Sequence, residues 1–355
     1  MKDVFEKLYD FDDLLIEPAI LSKIKSRSEI NPRNIMGNLP LMTAPMDTVV
    51  DENNFHLFKE KGILPVLPRV PNPNKDWFDT NIFLSYSLQD FDRIFLQNKI
   101  YVPDGSRIHA LIDVANGHMV ELYEMAKKAK EMYGYSMYLM VGNVANPKTF
   151  HEYCKIGVDL VRIGIGNGGG CLTTVQTGVG YPMASLICEC NDIRVHGEYR
   201  IEIVADGGFK KYADIIKALA LGADYVMLGS ILNKALESAG ETEKMHNPQL
   251  GGWEIVNQYS DEAKKMFDAD ITLFKAFRGM STKEVQKAWG KETLTTSEGV
   301  VRRHKVEYTL DQWVKNFEDY LRSAMSYTGK KELHQFIDGV QFNIISQNSF
   351  KRFDK

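Results

Sequence analysis

The chain has 355 residues, of which 44% are hydrophobic and 25% are charged, the proportions of an ordinary globular protein. This composition excludes a disordered or collagen-like chain, and the formal charge of −4 supplies no broad positive field for a nucleic-acid partner. The four cysteines, Cys154, Cys171, Cys188 and Cys190, are too few for a disulfide framework and indicate a reducing compartment.

No targeting or membrane segment is predicted. Residues 1–7 lack the basic and then apolar pattern of a signal peptide. No apolar run approaches the roughly 18 residues that a membrane helix needs. We therefore expect a soluble, cytoplasmic protein without a membrane partner.

Eight short apolar runs, each bounded by Gly, Pro, Asn or Asp, predict buried strands. They lie at 41–46, 63–67, 82–87, 108–114, 137–144, 160–165, 201–205 and 225–228. Because the runs are apolar throughout rather than alternating, they indicate parallel strands that are covered on both faces. Segments with helical spacing lie between most of them, at 51–61, 119–133, 147–156 and 210–221. Eight such units predict an α/β fold, the TIM (β/α)8 barrel.

The alternative is a doubly wound open sheet, which would place a glycine-rich turn after the first strand. That strand ends in Ala44-Pro45-Met46-Asp47, without a glycine, which favours the barrel. Two polar segments, at about 241–270 and 291–305, are predicted to be excursions from the barrel, and the remainder forms a helical and irregular C-terminal tail. We expect residues 1–355 to form a single domain.

The most distinctive local feature is a glycine-rich loop after the sixth strand. Glycine occupies positions 164, 166, 168, 169 and 170, directly before Cys171. So many glycines indicate unusual dihedral angles or close approach of a ligand, because glycine contributes no side-chain packing. A cysteine at the barrel mouth near the start of a helix is predicted to be an activated nucleophile. The alternative is a flexible loop with an incidental cysteine.

The other cysteines do not predict chemistry. Cys188 and Cys190 are two residues apart on a predicted helix and do not share a face. No histidine at ligand spacing accompanies them, so we expect no zinc site. Cys154 lies in a helical segment and is predicted to pack.

The turns after the last two barrel strands predict a phosphate site. Asp206-Gly207-Gly208 follows the seventh strand and Gly229-Ser230 follows the eighth. Backbone amides at such turns, each opening a helix, bind phosphate without much basic side-chain charge. Gly-Gly turns are also common loop elements, but these two stand where TIM barrels bind phosphate. The Asp206 carboxylate suits a ribose diol, so a phosphorylated ligand is predicted.

Seven motifs in order resemble the IMP dehydrogenase and GMP reductase family over residues 11–331. They are LMTAPMDT at 41–48, IDVANG at 112–117, GNV at 142–144, the Cys171 loop, DGG at 206–208, MLGS at 227–230 and RGM at 278–280. The resemblance implies a TIM barrel that assembles as a homotetramer. It also implies that a cysteine attacks C2 of a purine nucleotide and that hydride passes between C2 and a nicotinamide.

The reductase branch is the closer match. Dehydrogenases carry a mobile flap with an Arg-Tyr pair, whereas residues 281–297 contain no such pair and are short for that flap. There is no room for the regulatory domain that most dehydrogenases insert between strands two and three. Segments 177–182, 237–241, 279–281 and 297–299 also resemble the reductase. The resemblance therefore implies NADPH-dependent reductive deamination of GMP to IMP and ammonia; NAD-dependent oxidation of IMP to XMP and a non-catalytic nucleotide-binding barrel remain alternatives.

The resemblance also assigns roles to residues. Cys171 is the nucleophile, Thr173 with Glu298 activates the leaving amino group, and Asp113 lies beside the purine. The substrate residues are Asp206, Gly207, Gly208, Gly229, Ser230, Met280, Ser281, Gly299 and Gly169. The cofactor residues are Asp113, Asn116, Arg69 and Thr174. The carbonyl groups of Gly166, Gly168 and Cys171 resemble the family's site for a monovalent cation, K⁺.

Five positions depart from the family pattern. Gly169 replaces a serine that contacts phosphate, Gly170 replaces an aliphatic residue, and Thr295 replaces an arginine on the nucleotide. Arg69 and Val300 replace lysines, and an arginine cannot lose its proton as the lysine of a catalytic relay can. Because these changes surround one ligand, we hypothesise an altered guanine nucleotide as substrate, such as dGMP.

The basic run at 302–305 has two interpretations. It is either a solvated edge of the second excursion or a contact to the extra phosphate of NADPH, which a local cluster can supply.

Overall fold

The computed structural model describes residues 7–69, 81–245, 252–280, 282, 299 and 301–353. In chain order, the strands of this part of the chain are β1 (Leu14–Ile16), β2 (Leu41–Thr43), β3 (Val66–Leu67), β4 (Phe83–Tyr86), β5 (Ile108–Asp113), β6 (Met137–Val144), β7 (Leu160–Ile163), β8 (Glu202–Asp206), β9 (Tyr225–Leu228), β10 (Thr242–Met245), β11 (Trp253–Val256), β12 (Leu273–Arg278), β13 (Val301–Lys305) and β14 (Phe342–Ile344).

The helices follow the same order. They are α1 (Phe55–Glu60), α2 (Leu88–Phe91), α3 (Val120–Tyr133), α4 (Pro147–Lys155), α5 (Thr173–Thr177), α6 (Met183–His196), α7 (Tyr212–Ala220), α8 (Ser230–Asn233), α9 (Asp261–Asp268), α10 (Leu310–Tyr327), α11 (Leu333–Phe336) and α12 (Gln347–Phe353). Among the described residues, no helix is long and apolar enough to cross a bilayer.

Strands β2 to β9 form one parallel sheet, in the order β2-β9-β8-β7-β6-β5-β4-β3. A parallel bridge between Met42 and Leu64 joins the two end strands, supported by a 3.1 Å hydrogen bond from Thr43 N to the Leu64 carbonyl. Pro65 follows Leu64 and has no N–H group, so the regular part of β3 is only two residues long. The closed eight-stranded sheet confirms the predicted TIM barrel and excludes the doubly wound alternative.

Each strand contributes a buried hydrophobic side chain to the barrel interior. These residues are Met42, Val66, Phe83, Leu111, Met140, Leu160, Val204 and Met227. A larger hydrophobic core lies between the strands and the surrounding helices. Both faces of each strand are therefore covered, which explains why the strands are continuous apolar runs in the sequence.

The predicted helices correspond to α1, α3, α4 and α7, and the largest difference is at the first. A helix over 51–61 was expected, but α1 begins at Phe55. Asp51 N donates to Asn54 Oδ1 at 2.8 Å, and Asn54 N donates to Asp51 Oδ1 at 3.1 Å. These local side-chain bonds hold the backbone in a turn before the helix begins.

The two excursions form a single antiparallel sheet in the order β11-β10-β12-β13. Strand β12 lies outside both predicted segments, yet it pairs with β10 on one side and β13 on the other. Residues 246–251 of the first excursion and 291–298 of the second lie outside the described part of the chain. The sheet leaves the barrel after β9 and returns beside the cavity.

The C-terminal tail is packed against the barrel. Helix α10 lies on α7, where the Trp313 ring stacks on Tyr212 with centroids 5.5 Å apart. Strand β14 pairs with β1 in an antiparallel ribbon that joins the two ends of the described chain. The tail is therefore mainly helical, as predicted, with one strand.

Candidate active site

A cavity of about 480 Å³ opens at the carboxyl ends of the barrel strands. Its walls come from the turn after β2, the ends of β5 and β8, the turn after β9 and the loop after β7. Residues 277 and 279–280, at the end of β12 and after it, form a further wall. This volume suits a small-molecule ligand of nucleotide size, at the end of the barrel where TIM-barrel enzymes carry their active sites.

Cys171 is half-buried and lines this cavity. Its backbone N–H donates to the Gly168 carbonyl at 3.0 Å, which closes a tight turn before helix α5. The thiol donates to Thr173 Oγ1 at 3.2 Å. An antiparallel bridge joins Cys171 to Gly299. The predicted nucleophile and the predicted proton carrier therefore lie side by side.

Two glycines of the loop are required by close approach within the protein. Gly164 and Gly166 have φ of +121° and +79°, and a Cβ at either position would collide with a neighbour, the Asp206 carbonyl or the Thr174 side chain. Gly169 differs, because the nearest atom to its Cβ would be Ser230 Oγ at 3.7 Å. The absence of a side chain there leaves space in the cavity instead of relieving a clash.

Thr174 stabilises the same loop from outside the cavity. Its Oγ1 bonds the carbonyl groups of Ile165 and Val179 at 3.1 and 2.7 Å, and it is not a cavity-lining residue. Asn116, also predicted to bind cofactor, is exposed outside the cavity and accepts a 3.1 Å hydrogen bond from His118 N. The structure thus places both residues outside the cavity, although Thr174 still contacts the nucleophile loop beside Gly166.

Arg162 joins two strand-end carboxylates. Its Nη1 donates to Asp113 Oδ1 at 2.8 Å and its Nε donates to Asp206 Oδ2 at 2.9 Å. Burial alone would lower the pKa of Arg162, but the Asp206 and Asp113 carboxylates outweigh it and raise the pKa. The guanidinium therefore remains charged and fixes both acids.

Asn143 and Arg69 complete this network. Asn143 Nδ2 donates to Asp206 Oδ2 and to the Gly164 carbonyl, each at 2.8 Å. Arg69 Nε lies 3.4 Å from Asp113 Oδ2, and its Nη2 donates to the Asp113 carbonyl. Arg69 was predicted from the sequence, whereas Asn143 and Arg162 were not assigned a role.

The predicted phosphate turns lie together on the cavity wall. Gly207, Gly208, Gly229 and Ser230 all line the cavity, next to Gly169 of the loop. Gly207 has a φ of +90°, and a Cβ there would be 2.9 Å from Gly168 N. This contact keeps the turn after β8 directly against the Cys171 loop.

Most of the other predicted substrate residues are close by. Met280 lines the cavity, and Gly299 contacts the loop through Cys171. Ser281, Glu298, Thr295 and Val300 lie outside the described residues.

The carbonyl groups of Gly166, Gly168 and Cys171 belong to the same short turn. Neutral carbonyl oxygens are the ligands that K⁺ takes in proteins, so this donor set fits a monovalent cation. The Gly168 carbonyl accepts the bond from Cys171 N and keeps a second lone pair for an ion. Within the described residues no cluster of His, Cys, Asp and Glu could hold a metal ion.

The remaining cysteines differ from Cys171 in their surroundings. Cys154 is buried, as predicted, and burial raises the pKa of its thiol to about 12. Cys190 is also buried, and burial raises its pKa well above the ordinary value. Cys188 is exposed on α6. None of the three lines the cavity.

The basic run at 302–305 forms most of the edge strand β13. Arg303 Nε lies 2.7 Å from Glu243 Oε2, and its guanidinium lies over the Trp253 ring, 4.7 Å from the centroid. His304 points inward and stacks on Phe277. At least these two residues of the run have structural contacts within the sheet.

Fold and cavity together define a (β/α)8-barrel protein with a cysteine and two fixed carboxylates at the carboxyl ends of its strands. Residues 108–353 match the IMP dehydrogenase / GMP reductase domain, and the chain belongs to this family. The resemblance that the sequence motifs indicated is thus confirmed. Proteins of this family act on purine nucleotides with a nicotinamide cofactor.

Relatives of both branches align with most of the chain. A GMP reductase of Buchnera aphidicola subsp. Acyrthosiphon pisum (strain Tuc7) is 28% identical over 96% of this chain and 97% of its own length. GMP reductase 2 of Mus musculus is 26% identical over 95% of this chain and 94% of its own length. An inosine-5'-monophosphate dehydrogenase of Staphylococcus aureus is 29% identical over 87% of this chain but only 63% of its own length.

Proposed function

We propose that the protein is a GMP reductase, which converts GMP to IMP and ammonia with NADPH. The observation that carries this proposal is the pair of Cys171 and Thr173, 3.2 Å apart, in a nucleotide-sized cavity. GMP reductases of bacterial and mammalian origin also align with nearly the whole chain. The reductase motifs and the absence of an Arg-Tyr pair in residues 281–297 favour this branch over the dehydrogenase.

In the first step, Cys171 Sγ forms a bond to C2 of the purine and the exocyclic amino group leaves as ammonia. The thiol proton passes to Thr173 Oγ1, which already accepts a hydrogen bond from Cys171 Sγ. The hydroxyl then donates a proton to the departing amine. Glu298, outside the described residues, is proposed to hold Thr173 in this exchange.

When bound, a nicotinamide cofactor would supply a hydride to C2. The C2–S bond breaks, its electron pair returns to Cys171 and IMP is released. The overall reaction is GMP + NADPH + 2H⁺ → IMP + NADP⁺ + NH₄⁺. Asp113, held by Arg162 and Arg69, lies on the cavity wall where it can orient the base and the nicotinamide.

The rest of the cavity positions the nucleotide. Asp206 uses Oδ2 to accept bonds from Arg162 and Asn143, so its Oδ1 is oriented as the acceptor for a ribose hydroxyl. Backbone amides of Gly207, Gly208 and Gly229, with Ser230, and Met280 with Ser281 on the base, complete the proposed substrate site. Arg69 stays protonated, so its proposed role is to hold Asp113 and not to relay protons.

We further propose that K⁺ binds the carbonyl groups of residues 166, 168 and 171 and stiffens the loop. We also propose that residues 1–355 form a single catalytic domain without an inserted regulatory domain, and that the protein is a homotetramer. In support of the single domain, only residues 68–82 separate β3 from β4, the second and third barrel strands.

One experiment separates the candidate functions. The protein is incubated with GMP and NADPH, and separately with IMP and NAD, while the absorbance of the reduced cofactor is followed. Loss of absorbance in the first mixture supports the reductase, and a gain in the second supports the dehydrogenase. No change in either mixture, with nucleotide binding intact, indicates a non-catalytic barrel.

Two further comparisons refine the substrate. Reaction rates with GMP and with dGMP test the hypothesis that the substitutions at Gly169 and Arg69 reflect an altered guanine nucleotide as substrate. An undiminished preference for GMP would reject dGMP. Rates with NADPH and NADH test the basic run at 302–305, since equal efficiency would leave the run without a role in cofactor choice.

A further inference from the structure

Three glycines and one aromatic ring pack together behind the nucleophile loop. A Cβ on Gly170 would lie 3.0 Å from Cε1 of Phe277 and 3.2 Å from its Cζ. A Cβ on Gly279 would lie 2.5 Å from the Gly170 carbonyl, and one on Gly299 would lie 3.3 Å from the Gly279 Cα. The backbones of the loop, of the segment after β12 and of residue 299 therefore touch without intervening side chains.

The Phe277 ring is itself held from the other side. It is 2% exposed and stacks on His304 of β13, with centroids 4.5 Å apart and planes at 24°. His304 Nδ1 donates to Asn233 Oδ1 at 2.8 Å. The fully buried Asn233 bonds the carbonyl groups of Thr48 and Ala276 at 2.7 and 3.0 Å, which links the sheet to the barrel. The ring therefore has little freedom to move away from the loop.

We propose that Phe277 is a positioning residue for Cys171: its ring, clamped by His304, forms the rigid surface against which Gly170 and the nucleophile loop rest. The proposal rests on the proposed role of Cys171. It gives the four-stranded sheet a function in the reaction, because the sheet supplies the support behind the nucleophile. It also explains why residue 170 is a glycine, because any side chain at this position would compete with the Phe277 ring for the same space.

The neighbouring glycine provides the contrast. Gly169 is exposed, and a Cβ there would meet nothing closer than 3.7 Å. Neither Gly169 nor Gly170 has a φ in the left-handed region, so alanine at either position is free of backbone strain. Any effect of Gly170→Ala on the alkylation of Cys171 without nucleotide that Gly169→Ala does not share therefore reports the contact with Phe277.

A double-mutant cycle on Gly170→Ala and Phe277→Leu tests the proposal. The rate at which iodoacetamide alkylates Cys171 without nucleotide is measured in a Cys188→Ala background, which removes the exposed thiol. Reductase kcat and KM for GMP are measured in parallel. A displacement of about 1 Å can cost about 100-fold in rate, so a shift of a few tenths of an ångström is expected to lower kcat about tenfold in Gly170→Ala.

The expected result is a non-additive cycle. Gly170→Ala changes the alkylation rate at least about threefold and lowers kcat with little change in KM, but has little further effect once Phe277→Leu has removed the ring edge. Gly169→Ala changes the alkylation rate less than about twofold, since its Cβ meets only ordinary contacts. Phe274→Leu is the control on the same strand, because Phe274 packs on Trp253 (5.3 Å) and not on the loop.

Two results would overturn the proposal. One is an unchanged alkylation rate in Gly170→Ala, and the other is an equal effect of Gly170→Ala with and without Phe277→Leu. Thermal unfolding of each variant shows whether it is folded, and Phe277→Met replaces Phe277→Leu in the cycle if the latter does not fold. Absence of reductase activity in the unsubstituted protein would reject the proposed function alone, because alkylation still tests the contact.

Discussion

Glu202→Gln is predicted to change the pH dependence of stability without affecting the cavity. Glu202 begins β8, whereas Asp206 ends it, so the two carboxylates are at opposite ends of the same strand. The four residue steps between them span about 13 Å of strand. Tyr138 donates its hydroxyl hydrogen to Glu202 Oε2. Glutamine keeps this acceptor and the size of the side chain, so the substitution removes the titrating group alone.

Burial raises the pKa of Glu202 from 4.5 to about 7. The hydrogen bond from Tyr138 opposes this shift, the carboxylates of Asp224 and Asp159 add to it, and Arg194 opposes it. Because the folded state binds the proton more tightly, this group contributes stability that is fully present below pH 4.5 and is lost as the pH rises through about 7. At about 1.4 kcal/mol per pH unit between pKa values of 4.5 and about 7, the change is at most about 3.5 kcal/mol.

The assay is urea unfolding of the unsubstituted protein and the variant from about pH 5 to about pH 8, across the window over which the proton is released. The free energy of unfolding of the unsubstituted protein is expected to fall relative to Glu202→Gln as the pH rises. Glu124→Gln, at an exposed position on α3, controls for loss of one carboxyl group from the surface. A difference between Glu202→Gln and the unsubstituted protein that is constant with pH, or that grows in the opposite sense, would refute the argument.

Three further predictions concern the cavity. Arg162→Met leaves Asp113 and Asp206 without their shared cation. Urea titration is expected to show a free energy of unfolding that is lower by about 3 kcal/mol, and KM for GMP should rise. The control Arg93→Met breaks an exposed ion pair and should change the free energy of unfolding by less than about 1 kcal/mol. Cys171→Ala should abolish turnover while calorimetry still detects nucleotide binding, and Cys188→Ala should leave both unchanged; a Cys171→Ala variant that turns over contradicts the covalent mechanism. Replacement of K⁺ by Li⁺ in the assay should lower kcat, because the smaller ion fits the turn of carbonyl groups poorly; an unaltered rate would remove the cation from the proposal.

The barrel could be predicted because parallel strands buried on both faces leave a simple pattern in the sequence. The runs at 108–114 and 137–144 contain β5 and β6 almost residue for residue. The four-stranded sheet of the excursions could not be predicted, because β12 pairs with strands that are distant in sequence. The residues of β12 also alternate in burial, and the charged Lys275 stands at a buried position. Lys275 Nζ donates to the Ser238 and Gly240 carbonyl groups, contacts that no local pattern indicates.

Site residues were predictable where local chemistry is unusual, as at Cys171, Gly207 and Asp206. Arg162 was missed because it lies within an apolar strand run, and its two partners are on other strands, 49 and 44 residues away in sequence. The only sequence signal was a charged residue at a position that the strand pattern expects to be apolar. The closed barrel brings β5 and β8 to either side of the β6–β7 pair, which makes one guanidinium able to reach both acids.

The charges on the cavity wall limit how the anionic nucleotide proposed as substrate could be bound. Among the described lining residues, the charged side chains are Arg69, Arg162, Asp113 and Asp206, which balance to zero. Both arginines form ion pairs with Asp113 or Asp206, the carboxylates proposed to contact the base and the ribose. The phosphate must then be bound by backbone amides and Ser230, whose attraction is short-ranged and directional. Close backbone approach is therefore expected at the proposed phosphate position, which accounts for Gly169 on the loop and for Gly208 and Gly229 on the turns.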